Sequence, residues 1–207
     1  MPTLPESTIA ALLTPYLTPP PAVLSQLSLY LDLLLKWNAR TNLTAIRDPE
    51  EIVRRHFGES LFAARHVPAE TRTLLDFGSG AGFPGLPIAL LHPNLQVTLA
   101  ESQNKKSTFL REAVRTLTLP NVEVWPHRTE AMPSNRLFQI VTLRAVDDMA
   151  AALSAARARI APGGHLLLLT TANHAPNAGS SIPLPNSHLG ILYTESNPSS
   201  NPSRMLS

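Results

Sequence analysis

One glycine-rich turn, set between two apolar runs, restricts the fold of this chain more than any other feature. Residues 74–77 read Leu-Leu-Asp-Phe, residues 78–85 read Gly-Ser-Gly-Ala-Gly-Phe-Pro-Gly, and residues 86–91 read Leu-Pro-Ile-Ala-Leu-Leu. Glycines in a turn permit positive φ and remove the Cβ atoms that would keep a ligand away from the backbone. The free N–H groups at the start of a following helix face the same place. The pattern therefore predicts the strand, turn and helix with which an open parallel α/β sheet begins a nucleotide site.

Apolar segments with the length of strands alternate with helical segments after this turn. The predicted strands are residues 74–77, 95–100, 122–125, 138–143 and 165–170. The predicted helices are residues 84–91, 107–117 and 149–160, the last of them ended by the Pro-Gly-Gly sequence of residues 162–164. Such alternation predicts an α/β fold, in which helices cover both faces of a parallel sheet. A terminal hairpin is predicted from residues 182–184 and 189–193.

Helical patterns precede the sheet. We predict helices over residues 1–18, 22–39 and 48–65. Asp48 is a suitable N-cap, because Pro49 follows at the first helical position and Glu51 stands where a capping box has its acid. These patterns divide the chain into an N-terminal helical extension, residues 1–72, and a sheet domain, residues 73–195. A disordered tail is expected over residues 196–207, which are rich in Ser, Asn and Pro.

Composition excludes several classes of protein. The 207 residues include no cysteine, so neither a disulfide scaffold nor a thiolate metal site can form. The first residues do not resemble a signal peptide, and no apolar run reaches the roughly 18 residues that span a membrane. We therefore expect a cytoplasmic monomer with no metal and no membrane partner. The net charge is +2, and the basic residues of segments 36–72 and 105–115 suit either RNA phosphates or solvated helix faces.

Polar residues follow the predicted strands at the edge where such a sheet binds its ligand. Glu101 follows the second strand and can accept hydrogen bonds from ribose hydroxyls, although a helix start would use the same charge. Thr129 and Glu130 follow the third strand, where an adenine edge is expected, although a solvated loop could also carry them. Arg144 ends the fourth strand, and arginine is uncommon in a core. With Gly78 of the turn, these residues are expected to face one crevice.

Residues 80–85 also match the dinucleotide fingerprint G-x-G-x-x-G, and Glu101 stands about 20 residues further on, where a ribose-binding acid is expected. Three observations argue against a nicotinamide enzyme. The match begins late, since Gly78 already forms the turn after the strand. Phe83 occupies the third glycine position counted from Gly78. Asp76 at the end of the strand would repel a pyrophosphate and instead suits a cationic ligand such as a sulfonium.

The residues of these motifs resemble those of one family. Residues 76–87 are similar to the first motif of class I S-adenosylmethionine-dependent methyltransferases. Together with residues 42–51 and Arg55-His56, this stretch resembles the RsmG (GidB) family, which methylates N7 of a guanine in bacterial 16S ribosomal RNA. Further similarities lie in residues 101–112, 121–130, 144–145 and 162–164.

The resemblance implies a Rossmann-like fold with a mostly parallel seven-stranded sheet, preceded by the helical extension. It implies S-adenosyl-L-methionine as the methyl donor and the 16S rRNA of the small ribosomal subunit as the partner. The candidate cofactor-binding residues, five from the resemblance and the last two from the geometry of the strand ends, are Gly78, Phe83, Thr129, Glu130, Arg144, Gly80 and Glu101. No catalytic residue is needed, because guanine N7 carries a lone pair and no proton.

Three departures from the family pattern leave alternatives open. Thr142 and Leu143 precede Arg144 where a serine is usual, and Glu101 stands where aspartate is common. The lysine-glycine pair that usually follows the fifth strand is absent, and the chain has no lysine after Lys106. The alternatives are a methyltransferase acting on a small molecule or protein, a cofactor-binding variant with reduced activity, and an NAD-dependent oxidoreductase.

Overall fold

The computed structural model describes residues 2–144 and 148–197, and its centre is one seven-stranded sheet. The strands in chain order are β1 (Thr73–Phe77), β2 (Gln96–Ala100), β3 (Val122–Trp125), β4 (Phe138–Arg144), β5 (Ile160–Thr171), β6 (Ser180–Pro183) and β7 (Gly190–Ser196). Their order in the sheet is β3-β2-β1-β4-β5-β7-β6. Strands β1 to β5 run parallel, whereas β7 pairs antiparallel with β5 and β6. The predicted seven-stranded, mostly parallel sheet is confirmed.

The strand order reverses between β1 and β4. Strands β2 and β3 lie on one side of β1, and β4 and β5 lie on the other. Phe77 at the carboxyl end of β1 is paired with Ala100 of β2 and with Leu143 of β4. Ligands of open α/β sheets bind at the carboxyl ends of the strands next to such a reversal. The glycine turn that follows Phe77 therefore begins at the switch point of the sheet.

Helices cover both faces of this sheet, as predicted. The α-helices are α1 (Glu6–Leu13), α2 (Pro21–Asn38), α3 (Pro49–Glu51), α4 (Glu59–Ala64), α5 (Gly85–Leu91), α6 (Asn104–Thr116) and α7 (Met149–Arg157). A π-helical segment, Ile52–Gly58, joins α3 to α4. Leu74 of β1 packs in a hydrophobic cluster with α1, α2, α5 and α6, whereas Leu75 packs with α7. The alternation of side chains along β1 thus separates the two helical layers.

The N-terminal helices form close to their predicted positions. The Asp48 carboxylate accepts a hydrogen bond from the Glu51 N–H at 2.8 Å, so Asp48 is the predicted N-cap. The single helix predicted over residues 48–65 is interrupted by the π-helical segment, which the apolar spacing does not reveal. Helices α1, α2 and α4 share one hydrophobic cluster with β1, α5 and α6. The domain boundary between residues 72 and 73 stays a prediction.

The predicted end of the helix before β5 is wrong. Helix α7 ends at Arg157, and β5 already includes Ile160 and the Pro-Gly-Gly sequence of residues 162–164. Phe138 pairs with Ile160 while Ile140 pairs with His165, so extra residues of β5 form a bulge. Gly163 takes a φ of 77° within it, a conformation that glycine adopts without strain. Pro-Gly-Gly serves as a helix end or as a bulge, and the sequence alone does not distinguish the two.

The C-terminal strands β6 and β7 form the predicted hairpin, with Asn186 in its loop at a φ of 55°. Ser196 was expected to begin the tail, but it ends β7 by pairing with His165. The following Asn197 donates a side-chain hydrogen bond to the Ile160 carbonyl at 3.0 Å. The remainder of the predicted tail, residues 198–207, lies outside the described residues. Over residues 2–144 and 148–197, no helix is both long enough and apolar enough to cross a membrane.

Candidate functional site

A cavity of about 130 Å³ opens where β1 and β2 end and the chain leaves β3. The parallel register of these strands places their carboxyl ends at one edge of the sheet. Four of the seven predicted site residues line this cavity together: Gly78, Glu101, Thr129 and Glu130. We call it the β1–β3 cleft.

The glycine loop, residues 78–82, borders the cleft with a left-handed backbone. The φ angles are 67° at Gly78, 57° at Gly80 and 91° at Gly82. A Cβ added at Gly82 would clash with Leu86 and lie 2.7 Å from the Tyr30 hydroxyl. A Cβ added at Gly80 would meet, among the described residues, only the Gly78 carbonyl oxygen at 3.8 Å. Internal packing therefore requires glycine at position 82, whereas position 80 leaves space that a ligand can use.

Glu101 fastens the glycine loop to the end of β2. Its carboxylate accepts hydrogen bonds from the Gly80 N–H at 3.0 Å and from the Gln103 N–H at 2.8 Å. The residue is buried, yet it lines the cleft. A carboxylate has about four lone-pair positions, so two bonds leave capacity for a ligand. The structure thus joins the predicted residues Gly80 and Glu101 and keeps an acceptor at the position expected for a ribose.

Asp76 lies in the interior, although its charge suggested a position facing a cationic ligand. Its carboxylate is 1% exposed and accepts hydrogen bonds from the Thr142 hydroxyl at 2.8 Å and from the Gly85 N–H at 3.1 Å. Burial raises the pKa of Asp76 to about 6, although the hydrogen bonds from Thr142 and Gly85 lower it. Asp76 therefore ties the start of α5 to β4. The expectation that its charge faces a cationic ligand is corrected accordingly.

A buried arginine holds the turn that carries Thr129 and Glu130. Thr129–Ala131 form a 3₁₀ turn after β3. Arg159 donates hydrogen bonds to the carbonyl oxygens of Thr129 at 2.8 Å, Met132 at 3.0 Å and Pro133 at 2.7 Å. Thr129 is buried against the sheet, and Glu130 is exposed at the cleft. Sequence reasoning missed Arg159, because an arginine in the last turn of a predicted helix is typical of an ordinary helix end.

Phe83 lies beside the glycine loop in an aromatic cluster. Its ring stacks on His56 at a centroid distance of 4.7 Å and on Tyr30 at 5.3 Å, and it is tilted against Phe57 at 5.7 Å. The Phe83 N–H donates to the Ser79 carbonyl at 3.1 Å, so the backbone belongs to the loop. The ring does not line the β1–β3 cleft. The structure thus brings the backbone of Phe83, but not its side chain, toward the other predicted residues.

Arg144 lies at a second cavity, of about 550 Å³, at the carboxyl end of β4, the strand paired with β1. Its Nη2 donates to the Glu59 carboxylate at 2.8 Å and to the Arg55 carbonyl at 3.1 Å. Its Nη1 is buried and has no hydrogen-bond partner within the described residues. The expectation of one crevice is therefore corrected, since the end of β4 faces a neighbouring cavity. Sequence reasoning missed Glu59, because a glutamate in a predicted helix is typical of a solvated face.

Comparison with known proteins identifies the family of this chain. The chain matches the family model GidB, described as rRNA small subunit methyltransferase G, over residues 23–179. It is 44% identical over 140 residues to the ribosomal RNA small subunit methyltransferase G of Xanthomonas euvesicatoria pv. vesicatoria strain 85-10, covering 68% of this chain and 65% of that protein. It is 47% identical over 138 residues to the protein of the same name from Xylella fastidiosa strain M23, covering 67% and 61%. The aligned part therefore spans less than two thirds of each relative.

Solved structures share the fold at low sequence identity. The putative methyltransferase yhhF from Escherichia coli aligns with a TM-score of 0.54 at 16% identity, covering 68% of this chain and 84% of that one. TYW2 of M. jannaschii, solved in complex with AdoMet, aligns with a TM-score of 0.56 at 12% identity, covering 68% and 74%. The fold is that of a class I methyltransferase. Because the family model matches most of the sequence, the chain belongs to the GidB family.

Proposed function

We propose that this protein transfers a methyl group from S-adenosyl-L-methionine to N7 of a guanine in bacterial 16S rRNA of the small ribosomal subunit. The observation that carries the proposal is the β1–β3 cleft, in which Gly78, Glu101, Thr129 and Glu130 meet beside open space at Gly80. Two relatives at 44% and 47% identity bear the name ribosomal RNA small subunit methyltransferase G, which supports the same substrate class.

The cleft residues offer the groups that the methyl donor needs. Glu101 has lone pairs left to accept hydrogen bonds from the ribose hydroxyls. Thr129 and Glu130 stand where the adenine edge would meet a backbone N–H and an acceptor. The glycine loop leaves its backbone open to the methionine part. The proposed donor-binding residues are those predicted from the sequence: Gly78, Gly80, Phe83, Glu101, Thr129, Glu130 and Arg144.

The chemistry depends on positioning rather than on proton transfer. Bound S-adenosylmethionine would supply an electrophilic methyl group, and guanine N7 accepts it without losing a proton. The residues of the chain therefore contribute by holding donor and acceptor at attacking distance, an effect worth up to about 7–11 kcal/mol in ideal cases. We assign no general base and no catalytic residue.

Methyl transfer to unmethylated small ribosomal subunits tests this proposal. With tritiated S-adenosylmethionine we expect label at N7 of one guanine of the 16S rRNA. Calorimetry is expected to show one donor site per chain and no binding of NAD. Donor binding without label in the rRNA would contradict the proposed substrate. Binding of NAD in place of the donor would contradict the proposed cofactor and favour an oxidoreductase.

One feature favours a second candidate, a donor-binding variant with reduced activity or with a smaller substrate. Strand β5 ends at Thr171 and a 3₁₀ turn, Ala172–His174, follows it without the lysine that is usual in the family. Salt separates an RNA substrate from a small molecule, because an RNA held through several phosphates loses affinity steeply between 50 and 200 mM salt. Substrate binding that does not change with salt would favour a small molecule.

A further inference from the structure

A second cavity has Arg144, one of the proposed donor-binding residues, in its wall. It measures about 550 Å³, large enough for a purine base, and lies between the π-helical segment and the carboxyl ends of β4 and β5. Its wall includes Arg55, Glu59, Arg144, Thr170, His174 and Leu189. We call it the Glu59 pocket. Its position next to the donor residues suits the acceptor of the methyl group.

Glu59 contributes a carboxylate to the wall of this pocket, although its side chain is only 10% exposed. One carboxylate oxygen lies 2.8 Å from Arg144 Nη2, and the other lies 3.8 Å from Arg55 Nε. Burial raises the pKa of Glu59, and the two arginines oppose this effect. A buried ion pair contributes little net stability compared with apolar packing. The pair holds the Glu59 carboxylate at the cavity wall, where it can meet a ligand.

The backbone around Glu59 supports the same conclusion. Arg55 belongs to the π-helical segment, and Glu59 follows that segment directly. Turns of π-helix are rare and occur frequently at functional sites. Both side chains reach the pocket wall from this one stretch. The local departure from α-helix thus accompanies the charged wall of the pocket.

We propose that Glu59 reads the Watson–Crick edge of the target guanine in this pocket, an inference that rests on the proposed function. Unpaired RNA bases are commonly read on this edge. Guanine alone among the four bases presents two adjacent donors there, N1–H and the 2-amino group, and a carboxylate can accept both. Adenine and cytosine would place a ring-nitrogen lone pair against the carboxylate, and uracil has one donor between two oxygens. Guanine N7 lies on the far edge of the purine, so it remains open to the methyl donor.

Replacing the 2-amino group of the target tests this assignment. The methylated position is first mapped with the wild-type protein, and 16S rRNA is then prepared with inosine there, which keeps N1–H and N7. We expect kcat/KM of the wild-type protein to be about 10- to 100-fold lower on inosine, because a hydrogen bond to a charged group is lost. For Glu59→Gln we expect a similar fall of kcat/KM on guanosine. The ratio of kcat/KM on guanosine to kcat/KM on inosine should then be about one, because the amide nitrogen of glutamine cannot accept a hydrogen bond from the 2-amino group.

Glu51→Gln is the matched control. Glu51 also lies near Arg55, at 3.9 Å, but its side chain is 43% exposed and is not part of the pocket wall. This variant is expected to keep the wild-type rate and ratio. Calorimetry of Glu59→Gln with S-adenosylmethionine separates an effect on donor binding through Arg144 from an effect on recognition of the base. If that variant does not fold, the comparison of guanosine with inosine in the wild-type protein still tests whether the 2-amino group is read.

Equal wild-type kcat/KM on guanosine and inosine would overturn the assignment. A folded Glu59→Gln variant that keeps the wild-type ratio would also overturn it. Absence of label from the wild-type protein on either RNA is a separate result, since it would contradict the proposed function itself and this inference with it.

Discussion

Asp76 carries a carboxylate into the interior directly beside the glycine loop. Both of its oxygens accept hydrogen bonds, one from Thr142 and one from the Gly85 N–H. Burial raises its pKa from an ordinary 3.8 to about 6, so the ionised form is costly to keep at neutral pH. The acid is therefore a support for the start of α5, and its effect should be visible in the pH dependence of stability.

Asp76→Asn removes this ionisation. In the wild-type protein, the stability contributed by protonated Asp76 is fully present below pH 3.8 and is lost as the pH rises through about 6. We therefore expect the free energy of unfolding of the wild-type protein to fall by about 2–3 kcal/mol relative to Asp76→Asn between pH 4 and pH 7. Urea unfolding of both proteins at each pH measures the difference. A difference that stays constant over this range would contradict the buried, raised-pKa carboxylate.

Gly80→Ala separates ligand contact from protein packing. The added Cβ meets open space within the described residues, so we expect a loss of only about 1–2 kcal/mol of stability from the left-handed φ of 57°. Affinity for S-adenosylmethionine should fall about 10-fold or more, because the methyl group would fill the open space beside Gly80 that we propose the methyl donor uses. Calorimetry with S-adenosylmethionine measures it. Gly163→Ala, with a φ of 77° in the β5 bulge, is the control for strain and should keep wild-type affinity. Unchanged affinity in Gly80→Ala would remove Gly80 from the site.

Individual site residues were partly predictable from the sequence. Gly78, Glu101, Thr129 and Glu130 meet as predicted, because the ends of neighbouring parallel strands share one edge of a sheet. The role of Asp76 was not predictable, because its hydrogen-bond partners are distant in sequence. No local pattern reports such contacts, which depend on how β4 and α5 pack against β1.

At the scale of elements, the turn Thr129–Ala131 depends on the connection between α7 and β5, although it follows β3 in the chain. Arg159, two residues after α7, reaches back to three carbonyl oxygens around this turn. A guanidinium with several fixed donors suits this arrangement. The position of Thr129 and Glu130 at the cleft therefore rests on one side chain from another element.

Arg159→Met should loosen this turn. Without the guanidinium, the three carbonyl oxygens lose their hydrogen bonds and the turn is no longer fixed. We therefore expect the affinity for S-adenosylmethionine to fall about 10-fold, with little change in KM for RNA. Calorimetry and steady-state kinetics measure the two quantities. Arg157→Met is a close control, since Arg157 ends α7 and pairs with Glu195 at 2.6 Å on the surface. Equal donor affinity in the two variants would contradict the role of Arg159.

The bounds of the helices and strands show which structural features could not be predicted from the sequence. Apolar runs with the length of strands predicted β1 to β4 to within one residue at each end, because the strands of a parallel sheet are buried on both faces. The π-helical segment was not predicted, since an extra residue per turn leaves the apolar spacing ambiguous. The bulge in β5 was missed because its cause, the register against β4, involves residues distant in sequence.

At the scale of the whole molecule, the helical extension and the sheet share one hydrophobic core. The hydrophobic cluster that contains Leu27 and Leu31 of α2 continues through Phe57 to Leu86 of α5 and Phe109 of α6. Apolar contact of this kind couples the stability of two segments. The predicted boundary at residues 72–73 therefore marks the change from helices to the sheet. Unfolding experiments test whether it also separates two domains.

We expect one cooperative thermal transition for the described chain. Because the N-terminal helices and the sheet share a cluster, neither can lose its packing without exposing the other. Differential scanning calorimetry should give a calorimetric enthalpy equal to the van't Hoff enthalpy, the sign of two-state unfolding. Two resolved transitions would instead show that the extension and the sheet are independent folding units.

Protein contacts hold the glycine loop and the start of α5 at three points. Glu101 accepts from Gly80, Tyr30 donates to the Ala81 carbonyl, and Asp76 accepts from Gly85. Ordering a backbone residue costs about 1–2 kcal/mol of conformational entropy, and here that cost is met during folding. For the S-adenosylmethionine binding proposed above, such a loop is a preorganised receptor, in which little loop entropy remains to oppose association. Since Tyr30 belongs to α2, the helical extension would contribute to this preorganisation at a cleft that the sheet builds.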